Sequence, residues 1–121
     1  MKRVLASLTL GAALVATSAP AFAQDPVPEI DRKDMECAAL FALMAGSDPQ
    51  YQASGAMGMA YFIGRLEGRN PGTNQVQRFS DWVNSQDEAS LLTMIDTAGE
   101  RCATEMETLG TSMTTVGSAG A

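Results

Sequence analysis

The residues able to do chemistry are few in this chain. It has no histidine, which removes the commonest general base, the usual nucleophilic triads and the commonest metal ligand. Paired carboxylates are the main remaining route to catalysis. Asp34 and Glu36, Asp87 and Glu88, and Glu105 and Glu107 are close in sequence. None of these pairs is spaced i+3 or i+4, so within each pair the side chains do not share a helix face. Asp96 and Glu100 do share one, away from the apolar residues. Acidic helix starts explain the first two pairs, and a solvated surface explains the rest. Met57 and Met59 are soft enough for copper(I). On a helix, however, residues two apart point roughly 200° apart and cannot chelate one ion together. Core filling or an adaptable apolar surface suits them better. Arg65 and Arg69 stand one turn apart. They could grip a carboxylate of a ligand together, or pair with the chain's own acids. No phosphate-cradling glycine loop is found, because the glycines lie inside a helical pattern. The inventory yields no catalytic residue, no metal set and no cofactor motif. Binding, rather than an enzyme, is the expectation.

The two cysteines, Cys37 and Cys102, have a meaning set by compartment. Lys2 and Arg3 precede an apolar run from Val4 to Ala16, and Pro20 leads into Ala21-Phe22-Ala23 before Gln24. This is the pattern of a secretory signal, with cleavage expected between Ala23 and Gln24. The reading places the mature protein in the periplasm or outside the cell. Two cysteines in a small exported domain predict a Cys37–Cys102 disulfide. An intermolecular bridge or a thiol pair are the alternatives. With both cysteines bridged, no thiolate remains for nucleophilic or metal chemistry. Removal of the leader leaves 98 residues, with 6 basic against 14 acidic side chains and a net charge of −8. So acidic a chain is repelled by nucleic acid and by anionic lipid.

The elements that must position these residues read as helices. Pro26 and Pro28 make residues 24–30 extended. Asp31 is the expected cap of a first helix, in which every residue from Cys37 to Ala45 is apolar. Gly46 and Ser47-Asp48-Pro49 end it. The second helix runs from about Tyr51 to Arg69 and reads as the centre of the bundle. Met59, Phe62, Ile63 and Leu66 share its apolar face. Ala56, Ala60, Gly64 and Gly68 repeat at i+4 and predict a close approach of another backbone. The uncharged run from Pro49 to Gly64 is 16 residues, weakly apolar and ended by Arg65, which argues against a membrane span. Asn70-Pro71-Gly72 turns the chain. Thr73 or Asn74 caps a third helix, with Val76, Phe79 and Val83 on one face and Trp82 beside them. Ser85-Gln86-Asp87-Glu88 fits a capping box for a fourth. Its stripe is Leu91, Ile95, Ala98, Cys102, Met106 and Leu109. Residues 110–121 are rich in Gly, Ser, Thr and Ala and are expected to be disordered. No strand pattern is present. The predicted fold is all-α: a small disulfide-bridged bundle of about four helices over residues 31–109.

Asp31-Arg-Lys-Asp-Met-Glu-Cys37, the Tyr61-Phe-Ile-Gly-Arg65 segment and the late Cys102 resemble a group of small exported helical proteins of alphaproteobacteria, mostly without an assigned function. The layout is also similar to acid-stress periplasmic chaperones of the HdeA type, and to immunity proteins of type VI secretion. These resemblances imply a protein partner and two alternative roles. One is a holdase or stress-related binding protein of the envelope. The other is a specific inhibitor or immunity protein. An envelope enzyme is the third reading.

Overall fold

The computed structural model describes residues 26–120. The leader 1–23 and the Ala23–Gln24 cleavage point lie outside the described residues. Four α-helices follow one another: α1 (Glu29–Ser47), α2 (Gln52–Arg69), α3 (Gln75–Asn84) and α4 (Glu88–Ala119). A 3-10 turn, Pro49–Tyr51, leads into α2. Among the described residues there is no strand. The fold is all-α, as the sequence predicts.

Helix α1 starts two residues before the expected cap. Pro28 precedes it with φ −52° and ψ 143°. A proline has no N–H to leave unpaired at a helix start. Asp31 is not a cap. Its carboxylate turns inward and is buried. At the other end, Asp48 accepts from the Gln50 amide at 2.8 Å and starts the 3-10 turn. Asn74 caps α3 by accepting from the Gln77 amide at 3.0 Å. The capping box expected at Ser85 does not form. Ser85 instead donates to the Trp82 carbonyl at the end of α3, and Asp87 caps α4 by accepting from the Ser90 amide at 2.7 Å.

The hub of the molecule is α1, not α2. It packs against all three other helices, most extensively against antiparallel α2. Met35, Cys37, Ala38 and Ala39 of α1 are buried together with Phe62 and Leu66 of α2 and Met94, Ala98 and Cys102 of α4. The Phe41 and Phe62 rings stack at 5.9 Å. In that turn of α4 Met94 is buried in place of Ile95, which is expected on the stripe but is 44% exposed.

The close helix contact exists, but on a different face of α2 from the one expected. Ala56, Ala60, Gly64 and Gly68 are all exposed, and a Cβ added at Gly64 or Gly68 would meet nothing within 4 Å. The contact is made by Gly55 and Gly58. A Cβ on Gly55 would lie 2.5 Å from the Ala45 amide nitrogen and 2.6 Å from the Phe41 carbonyl, and one on Gly58 would strike the Phe41 ring. Gly55, Gly58, Phe62 and Leu66 form one buried row along α2.

Cys37 and Cys102 are joined in a disulfide, with Cα atoms 5.3 Å apart and a sequence separation of 65. The bridge ties α1 to the middle of α4. Beyond it α4 continues through Gly110 to Ala119. The tail expected to be disordered from residue 110 is helical, and residues 110–119 are exposed. Ser112, Thr114 and Thr115 donate their hydroxyls to carbonyls four residues earlier, at 2.9–3.0 Å. The polar side chains that favour loops elsewhere are here satisfied within the helix.

Candidate functional site

Two features stand out from the solvated surface: a buried ion-pair cluster and an open apolar groove. The cluster lies where the N-terminal half of α1 meets the C-terminal end of α2. Asp31 and Asp34 sit one turn apart on α1, and Arg65 and Arg69 sit one turn apart on α2. Antiparallel packing sets the two pairs against each other. Arg69 donates through Nε to Asp31 at 3.0 Å and through Nη2 to Asp34. Arg65 Nε lies 3.2 Å from Asp34, and its Nη1 pairs with Glu105 of α4. Asp31 also accepts from Asn70 Nδ2 at 3.1 Å and from Arg78 of α3 at 2.8 Å. One carboxylate therefore links α1, α2 and α3.

Arg65 and Arg69, the residues marked as a possible binding pair, are thus occupied by the chain's own acids. Arg65 also lies over the Tyr61 and Phe62 rings, 5.7 and 5.6 Å from their centroids. Burial alone would push the Asp31 carboxyl up. The hydrogen bonds from Arg78 and Arg69 outweigh it and hold the group below its ordinary value. Asp34 and Glu36 are not simple helix-start charges. Glu36 accepts from Arg101 of α4 at 2.8 Å and also pairs with Arg32. Arg101 reaches the Cys37 sulfur at 3.2 Å. Each of the six basic side chains among the described residues forms an ion pair within the chain. Eight carboxylates among these residues, such as Asp81, Asp96 and Glu100, have no such partner. No buried side-chain nitrogen or oxygen of the described residues lacks a hydrogen bond. The cluster is closed and offers nothing to a ligand.

The groove lies between α3 and the faces of α1 and α2. Helices α1 and α2 have 19 and 18 residues, α3 only 10. At 1.5 Å per residue α3 covers ~15 Å of a surface ~28 Å long. Its first turns sit at the start of α1, where Arg78 meets Asp31. Along α3, whose Val76, Ser80, Val83 and Asn84 form one wall, the faces of α1 and α2 are left partly uncovered. There Ala39, Ala42, Leu43 and Gly46 of α1, Met59 and Ile63 of α2, and Phe79 of α3 line an open groove of about 680 Å³. Leu91 of α4 lines it as well. Among the described residues, no charged side chain lines the groove. Leu43 and Val76 stand at it 48% and 62% exposed. Sequence reasoning did not find this groove, although its signals were present. The apolar run Cys37–Ala45 has more apolar surface than α2 and α4 can cover, and α3 is too short to cover the rest.

Among the described residues, no group of three or more His, Cys, Asp or Glu is placed to hold a metal ion. No helix of the described residues is long and apolar enough to cross a membrane. No protein-family model, curated protein or solved structure matches this chain.

Proposed function

We propose that this is an exported, disulfide-locked helical binding protein with no catalytic role, and that its groove receives the apolar face of an amphipathic helix from a protein partner. The observation that carries the reading is the uncharged groove between α3 and the faces of α1 and α2, in a chain of net charge −6. A helix laid in such a groove is a common mode of peptide recognition. Charge complementarity sets the flanks of the partner. With every basic side chain of the described residues paired internally and many carboxylates free, the partner's solvent face is cationic. The N-terminal signature and the intramolecular disulfide together support a periplasmic or secreted location. A holdase uses such a groove for many clients and a specific inhibitor uses it for one.

The test is a titration of the protein with a fluorescent amphipathic peptide bearing leucines at i, i+3, i+4 and i+7 and lysines on the opposite face. Binding is expected in the micromolar range, and Leu43→Asp or Val76→Asp weakens it by at least ~10-fold, about 1.4 kcal/mol. Both positions are exposed, so circular dichroism remains unchanged. Absence of binding up to ~100 µM, or equal binding by the two variants, rejects the groove as the site.

A further inference from the structure

The groove has a matching surface on the same chain. Beyond the body of the protein the apolar stripe of α4 continues as Leu109, Met113 and Val116, spaced i, i+4 and i+7. Leu109 starts it beside Tyr61. Met113 and Val116 are 65% and 76% exposed. This is the anchor pattern of a helix that docks in a groove. The segment 108–120 carries no charge, and neither does the groove lining. Five of its six hydroxyls, all but that of Thr111, are hydrogen-bonded to the helix's own carbonyls. Burying this helix therefore leaves few polar groups stripped of water without a partner. Its composition points the same way. Gly110, Gly117 and six Ser or Thr residues are poor helix formers in isolation, so the helical tail gains from a surface to lie on.

That surface cannot be its own groove. Leu91 lines the groove, and Met113 lies 22 residues further along the same unbroken helix. At 1.5 Å per residue this is a separation of ~33 Å along the axis. The bridge from Cys37 holds the middle of α4 against α1 and prevents the helix from turning back. We infer that the resting occupant of the groove is the α4 tail of a second copy of this chain, each copy lending its tail to the other in a closed two-fold dimer. Mutual exchange satisfies both uncharged surfaces at once and leaves no open end for further growth. The inference rests on the groove being a binding surface, and it adds a regulatory consequence. An external partner has to displace the tail.

Sedimentation of the full exported protein tests this directly. A dimer is expected at ~50 µM, and a stop codon in place of Thr111 converts it to monomer with a nearly unchanged melting temperature, because residues 111–119 are exposed and contribute nothing to the core. Leu43→Asp, at the groove, does the same with the tail intact. Mixing the tailless chain with the Leu43→Asp chain pairs an intact groove with an intact tail and restores a heterodimer. The tailless chain also binds the labelled amphipathic peptide at least ~10-fold more tightly, since the competing tail is gone. A monomeric wild type, a dimer that survives the truncation, or a dimer indifferent to Leu43→Asp overturns the exchange. The peptide titration on the tailless chain keeps the two readings apart. Peptide binding there with a monomeric wild type leaves the groove standing and removes the self-pairing, whereas no peptide binding in either chain removes the groove itself.

Discussion

A single methylene decides the sign of the glycine substitutions on α2. Gly55 lies against the backbone of α1, with the Ala45 nitrogen and the Phe41 carbonyl where a side chain would go. Backbone yields less readily than the end of a side chain, so Gly55→Ala is expected to destabilise by about 1–3 kcal/mol despite its better helix propensity. Gly64 faces open space. Gly64→Ala is expected to stabilise by about 0.5–1 kcal/mol. Urea unfolding of the two variants checks both signs in one series. Equal effects would mean that α1 and α2 do not meet at Gly55. The periodicity of the sequence announced a stripe of small residues but chose the wrong one. Ala56, Ala60, Gly64 and Gly68 have a clean i+4 repeat, yet they occupy the solvent side. The row that makes contact mixes Gly55 and Gly58 with Phe62 and Leu66, and its identity depends on where Phe41 places its ring. Asp31 shows the same limit of local pattern. As a residue type before an apolar run it looks like a cap. Its partners Arg69, Asn70 and Arg78 lie 38 to 47 residues away in sequence, and only the folded topology brings them to it.

At the scale of elements, α4 is held differently from α1 and α2. The α1–α2 pair interlocks through Gly55, Gly58, Phe41 and Phe62 and is tied by Asp34 and Arg69. Helix α4 contributes Met94, Ala98 and Cys102 to the core and relies further on the disulfide, Arg101 and Glu105. Closing a loop of 65 residues is worth roughly 4 kcal/mol in the chain-entropy account. Cys102→Ser is expected to lower stability by about 2–5 kcal/mol. Hydrogen exchange gives the more specific readout. Amides of α4 around Ala98–Met106 lose protection first, while those of α1 and α2 hold. Uniform loss across all helices would contradict this ranking. The disulfide was legible in the sequence because a two-cysteine exported chain allows one internal pairing. The length of α4 was not. Gly110 and the Ser/Thr-rich tail carry every local mark of a helix end, and the back-bonded hydroxyls that let the helix continue leave no mark in composition.

For the whole molecule, the electrostatic design joins stability to pH. The ion pairs connect all four helices: Asp31 joins α1, α2 and α3, Arg65 joins α2 to Asp34 of α1 and Glu105 of α4, and Arg101 joins α4 to Glu36. Histidine is absent, so between neutral pH and acid only carboxylates change state. The folded-state pKa of Asp31 is depressed by its arginines against the opposing effect of burial. A depressed carboxylate contributes stability above its unfolded value near ~4, and that contribution is lost as the pH falls through the lower folded value. The protein is therefore expected to be insensitive to pH from neutral down to about pH 5 and to loosen below about pH 4. The loosening begins at α3, which is short, partly exposed and tied to α1 through Arg78 and Asp31. Trp82, the one tryptophan, sits on α3 and reports its release. The disulfide keeps the chain compact, so far-UV circular dichroism is largely kept while Trp82 emission shifts to the red and ANS fluorescence rises above its neutral-pH level. Asp31→Asn should reproduce the Trp82 shift at neutral pH. It leaves the partly exposed Arg78 and Arg69 facing an uncharged amide, at a cost of about 2–3 kcal/mol. Trp82 emission that stays constant into strong acid, together with a silent Asp31→Asn, would show that α3 is held by its apolar face alone. A loosening that widens the groove in acid would suit a holdase, and a groove unchanged by acid would suit a single partner bound at neutral pH.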